Sequence, residues 1–214
     1  MDGLTERVPL PEHVERRLHV WRGAGALVLL ALWGWHAFVR DTEVPVLIFL
    51  DIAVHEIGHV LFRPFGELTM LVMGSGFEVG FPLVVGLVFL IWKRDPIAFG
   101  ICMGWAAGAC ADSARYIADA PHGALLLLGG GPEAVGDWER ILGEEFFDKV
   151  YMAPRIAGIV RSVGLVLWLV GLAAVLAGMW WHHRRADDAE RPSRVRASAR
   201  PATTRPIDRS RMWR

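Results

Sequence analysis

His55-Glu56-Ile57-Gly58-His59 sets two imidazoles four residues apart with a carboxylate between them. On a helix of 3.6 residues per turn, positions i and i+4 share a face, so both rings can grip one metal ion while Glu56 stands beside it as a general base. The chemistry this implies is hydrolysis by water activated at a bound zinc ion. In a chain with this content of His and Glu, chance places such a motif roughly one or two times in a hundred.

The stretch Leu50 to Phe62 that holds the motif is otherwise lipid-soluble. An ionisable group in a bilayer core costs several kcal/mol by most estimates, which makes Asp51, His55, Glu56 and His59 a functional cluster by default. Asp51 lies one turn before His55 on the same stripe, where it can accept from the free ring nitrogen as a supporting carboxylate. Gly58 gives up about 1 kcal/mol of helix propensity, which suits a site that another helix or a substrate must approach closely. A polar helix face without metal is the alternative for the cluster.

A catalytic zinc needs a third protein ligand and an open position. Asp112, Tyr116 and Asp119 recur at i, i+4 and i+7 near the end of a later apolar segment, at the depth of the two His. Depth favours Asp119, because Pro121 disfavours helix just before it and lets the chain turn beside the site. Asp137 and His122, in the loop that follows, are the other candidates, and Gly129-Gly130-Gly131 can fold that loop back. Asp112 can instead pair with Arg115 at i+3. Glu78 either lines the site or hydrogen-bonds a neighbouring helix, and His36 reads as a packing or interfacial residue.

The elements that position these groups belong to an all-α, polytopic membrane chain. Of 214 residues 53% are hydrophobic, with ten Trp, above the share usual in a soluble domain. Five apolar segments approach the roughly 20 residues needed to cross a bilayer. They run Gly23 to Val39, about residue 44 to Phe62, Leu68 to Trp92, Asp95-Pro96 to about Ile117, and Ile156 to Trp181. Gly74, Ser75, Gly76 and Pro82 predict a kinked or partly re-entrant third segment. The organisation is a polar segment 1–22, a membrane domain 23–185 with a 119–155 loop, and a disordered Arg-rich tail 186–214. Within the loop, Trp138, Ile141, Leu142, Phe146 and Val150 recur as on an amphipathic surface helix.

The formal net charge is zero, which gives no reason to expect a nucleic-acid partner. Beyond His183, however, ten Arg face four acids, while residues 121–155 are acidic. The positive-inside rule then puts the tail and Lys93-Arg94 in the cytoplasm, with possible contact between the tail and anionic lipid. With five spans the ends lie on opposite faces, which leaves Arg7, Arg16, Arg17 and Arg22 outside, against the rule. Cys102 and Cys110 read as buried apolar residues.

The stretch "AVHEIGHVLF", an H-E-x-x-H inside a transmembrane helix, resembles the first motif of the site-2 protease family of intramembrane zinc metalloproteases. The resemblance implies His55 and His59 as zinc ligands, Glu56 as the base, Zn²⁺ as cofactor and a membrane or juxtamembrane peptide as substrate. That family's second motif, an Asp in N-x-x-P...L-D-G, does not occur here in that form. The chain also resembles small uncharacterised bacterial membrane proteins with an early H-E-x-x-H, a late Leu-Gly-Gly and an Asp-Trp pair, matched by Leu128-Gly129-Gly130 and Asp137-Trp138. This implies a multi-pass protein of a bacterial cell membrane and no particular activity. The expected function is a zinc metallopeptidase. The alternatives are a non-proteolytic zinc hydrolase acting on a lipid or small amide, and a non-enzymatic membrane scaffold.

Overall fold

The computed structural model describes residues 12–125 and 135–198, and every regular element among them is a helix. They are α1 (Glu12–Gly34), α2 (Leu47–Phe62), α3 (Glu67–Ile91), α4 (Pro96–Asp119), α5 (Asp137–Leu142) and α6 (Ala153–Ser198). A π-helical turn, Trp35–Arg40, ends α1, and short 3₁₀ turns stand at Arg63–Phe65 and Val150–Met152. Local chemistry sets the starts. The Asp95 carboxylate caps α4 by accepting from the N–H groups of Ile97 and Ala98 at 3.1 and 3.0 Å, and Pro96 takes the first helical position, where no N–H is missed.

The scaffold is built around α4, which has 72% of its apolar stretch buried, against 28% in α1 and α3. Its small residues let α6 lie close and antiparallel. A Cβ on Gly100 would sit 2.6 Å from the Gly171 carbonyl oxygen, and one on Gly171 2.7 Å from the Gly100 oxygen. Gly164 and Gly178, seven residues to either side of Gly171, meet α4 in the same way at Cys110 and Ile97. Such backbone approach is how helices pack where lipid removes most of the hydrophobic drive between them. The two cysteines are free and buried in this region.

Four helical segments are long and apolar enough to cross a membrane: residues Arg17–Arg40, Glu67–Ile91, Pro96–Asp119 and Val150–Arg184. The expectation of five is corrected at α2. Its apolar run is long in residues, but the chain spends the first of them in a turn, with Asp41 and Val46 at positive φ of 54° and 72° and Val44 packed beside Ala37 and Ala111. Helix begins only at Leu47, and 16 residues rise about 24 Å, short of a hydrocarbon core of about 30 Å. Leu47 packs near Gly108 and the His55 ring stands 6.2 Å from Tyr116, so α2 starts beside the middle of α4 and runs parallel to it.

With four such helices, both ends of the bundle's chain lie at one end of it. Arg22 pairs with Asp95, and the His19 and His182 rings stack with centroids 4.0 Å apart.

Three further expectations change. Of the kinked or partly re-entrant third segment expected, re-entry does not hold: α3 runs unbroken for 25 residues with Pro82 inside it. Buried packing of Pro82 in the bundle outweighs the lost N–H. The loop makes no long surface helix. α5 has six residues, and Ile141 and Leu142 are buried against Leu71, Ala114, Ile117 and Ala157, so the loop folds over the ends of the helices. Lastly, α6 continues to Ser198 where the tail was expected to be disordered. Ala, Arg and Glu in that stretch are strong helix formers extending an existing helix, so no new nucleus is needed. Residues 1–11, 126–134 and 199–214 lie outside the described residues, and with them the Leu128-Gly129-Gly130 element and the rest of the tail.

Candidate metal centre

His55 and His59 project from α2 with ring centroids 4.7 Å apart. Both Nε2 atoms lie 3.1 Å from the same atom, Asp137 Oδ2, at the start of α5. These three residues form a group able to hold a metal ion. Ligand atoms about 2.0 Å from a tetrahedral ion stand roughly 3.3 Å from one another, close to this spacing.

The hydrogen bonds behind the rings say more. His59 Nδ1 lies 2.9 Å from the Met70 carbonyl oxygen, and because a carbonyl only accepts, Nδ1 carries the proton. In the neutral ring Nε2 is then bare, and its lone pair faces a carboxylate oxygen. A cation between them resolves that contact. A Cβ on Gly74 would intrude to 2.6 Å from His55 Nε2 and 2.7 Å from His59 Nε2. Only glycine on α3 keeps this space clear. Gly58 serves the helix contact itself, because a Cβ there would meet the Met73 carbonyl oxygen at 2.3 Å.

Asp137 is held from three sides. Its N–H donates to Tyr116 Oη at 2.7 Å, the neighbouring Trp138 Nε1 donates to Ser75 Oγ at 3.1 Å, and Arg140 bridges Glu67 and Glu145 at 2.5 Å each. Burial of Ile141 and Leu142 anchors the same short helix from below.

Asp119 is placed elsewhere. Its carboxylate accepts from the Leu125 N–H at 2.8 Å and its carbonyl from the N–H groups of His122 and Gly123, so it closes the turn after α4. The depth argument for Asp119 fails because an acid at a helix end is the natural partner for the donors of the following turn. His122 is exposed and outside the group.

The supporting carboxylate also differs from expectation. His55 Nδ1 lies 3.1 Å from Glu78 Oε2 on α3, whereas Asp51 accepts from Trp105 Nε1 at 2.6 Å. Asp51 shares the stripe of His55 on its own helix, but α3 brings Glu78 to the ring's free edge. Asp112 pairs with Arg115, and His36 meets Thr42 Oγ1 at 3.2 Å, away from the centre. Glu56 is exposed, on the outer face of α2 that also carries Phe49, Ile57 and Val60.

Sequence reasoning passed over Gly74, Ser75 and the Met70 carbonyl. The Gly74-Ser75-Gly76 run was the available signal, and it marks close helix approach to the imidazoles. No protein-family model, curated protein or solved structure matches this chain.

Proposed function

We propose that the chain is a multi-pass membrane zinc metallopeptidase that hydrolyses peptide bonds in or beside the bilayer. The observation that carries this reading is the convergence of His55 Nε2, His59 Nε2 and Asp137 Oδ2, with His59 Nδ1 turned to the Met70 carbonyl. His55, His59 and Asp137 would hold the ion. Zinc at such a site supplies Lewis acidity, polarising a carbonyl and acidifying water.

The remaining work falls to the chain's own groups. Glu56, next to His55 in sequence and exposed, would accept a proton from water and return it to the departing amine. Glu78 and the Met70 carbonyl orient the two rings, and Tyr116 fixes the backbone of Asp137. The exposed face of α2 leaves Glu56 open to a substrate segment arriving from the membrane side.

The basic positions Arg17, Arg22, Lys93, Arg94 and Arg184 gather at the end of the bundle where His19 meets His182. With four crossings the positive-inside rule puts that whole end in the cytoplasm and the metal centre toward the opposite face. The conflict that five spans create at Arg17 and Arg22 disappears. The Arg-rich tail would then contact anionic lipid.

A lipid or small amide is the competing substrate, favoured by the lack of any strand among the described residues whose edge a peptide could extend. The test measures zinc and turnover in purified protein. Wild type should carry one zinc per chain; Asp137→Ala should lose at least about 100-fold in affinity while Asp119→Ala keeps it. Glu56→Gln should retain zinc and lose about 10²–10⁴ in rate, trapping its substrate for identification. Zinc retained in Asp137→Ala, or unchanged turnover in Glu56→Gln, refutes the assignment.

A further inference from the structure

Beneath the His pair lies a second polar group, of which the hydrolytic reading uses only one oxygen of Glu78. Asp51 from α2, Glu78 from α3 and Asp112 from α4 offer carboxylate oxygens that all lie within 4.8 Å of one another. Asp51 is 2% exposed and Glu78 6%, so water screens neither. Three carboxylates this close repel one another, and burial strengthens the repulsion.

Their partners do not account for them. Asp51 Oδ1 accepts from Trp105, yet Asp51 Oδ2 is buried with no hydrogen-bond partner, and so is Asp112 Oδ2. Ser113 Oγ and Arg115 Nη1, close to Asp112 in the chain, are also buried without a hydrogen-bond partner, but they are donors. An orphaned carboxylate oxygen beside two other carboxylates points to a missing cation. Arg115 is the nearby cation; it pairs with Asp112 and reaches toward Asp41 at 3.7 Å. One guanidinium against three carboxylates leaves two negative charges, which a divalent ion neutralises. The count takes His55 as the neutral metal ligand of the function proposed above and so rests on that reading.

The donor set selects the kind of ion. All three groups offer oxygen, the preference of hard cations, and none offers the imidazole that suits zinc. Oxygens about 2.3–2.6 Å from a shared calcium-sized ion can stand up to about 5 Å apart, which accommodates the observed limit. We propose that Asp51, Glu78 and Asp112 form a second site, for a hard divalent cation of the Mg²⁺, Ca²⁺ and Mn²⁺ class, that fastens α2 to α3 and α4 beneath the hydrolytic centre. Glu78 joins the two sites, with one oxygen on His55.

Mn²⁺ is the probe, titrated into zinc-loaded full-length protein in detergent and read by electron paramagnetic resonance. The Trp105 indole on Asp51 gives a second signal, a fluorescence change that Trp105→Phe removes. One Mn²⁺ should bind in wild type and in Asp137→Ala, while Asp51→Asn and Asp112→Asn each weaken it at least tenfold. Zinc retained in Asp51→Asn shows that this variant is folded. If Mn²⁺ fails to bind wild type, binds Asp51→Asn and Asp112→Asn as it binds wild type, or disappears in Asp137→Ala, the proposal is overturned. Zinc without Mn²⁺ refutes the second site alone, and Mn²⁺ without zinc refutes the hydrolytic reading alone.

Discussion

Helix α4 is buried along most of its length and meets α6 backbone to backbone at Gly100 and Gly171, whereas α2 is short, exposed on one face and seated mainly on α3. The first carries few groups that could react. The second carries the two imidazoles and Glu56. On the proposed function, such a bundle would separate what must not move from what must meet a substrate, leaving contact with lipid and ligand to the helix whose loss of packing harms the rest least.

Substitutions of opposite size sharpen that contrast. Gly171→Leu pushes a branched side chain into the Gly100 carbonyl, and nothing flexible can yield there. We expect a loss beyond about 3 kcal/mol, read as aggregation on size exclusion in detergent. On α2, Phe49→Ala at a side chain 77% exposed should leave the same profile unchanged. A monodisperse Gly171→Leu protein would mean that α4 and α6 are not the rigid part.

Next in size is Glu78→Gln, which removes a charged acceptor behind His55 without altering its shape. Zinc affinity should fall about 10- to 100-fold while the helical circular dichroism holds. Equal affinity in the variant would detach Glu78 from the metal centre.

The smallest effect lies at the basic end of the scaffold. Burial pushes the Asp95 carboxyl up, but the Arg22 guanidinium and the N–H groups of Ala98 and Ile97 outweigh it and hold the group below its ordinary value. A carboxyl depressed in the folded state stabilises fully above its unfolded pKa and loses that contribution as pH falls through the folded one. Asp95→Ala should therefore cost about 0.5–2 kcal/mol near neutral pH, and the gap from wild type should close in acid. Melting curves that stay parallel down the pH series would remove the cap from the account.

Much of the frame could be read from spacing alone. Asp95-Pro96 announced the start of α4, and the His55 and His59 spacing put both rings on one face. What escaped depended on distance in the fold. Hydropathy counts apolar residues from 44 to 62 without seeing that a turn uses the first three and that α2 then starts at mid-height. Asp137 reaches the imidazoles across a loop of more than fifteen residues, and the hydrogen bonds that fix it come from Tyr116, Ser75 and Glu67 on two other helices. Gly100-x-x-x-Gly104-x-x-x-Gly108 and the seven-residue spacing of Gly164, Gly171 and Gly178 were legible signals of close packing, and only the contact between them shows their purpose.

Because α2 begins beside the middle of α4, the lipid next to it faces a wall of uneven height. In a bilayer, acyl chains there would tilt or shorten to match about 24 Å of helix, and that deformation would draw headgroups and water toward Glu56. On the proposed function, bilayer thickness would control the reaction: thin membranes would hydrate Glu56, and thick ones would drape hydrocarbon over it. In vesicles of increasing acyl-chain length, turnover should decline while zinc content stays constant. A flat response would place Glu56 beyond the reach of lipid.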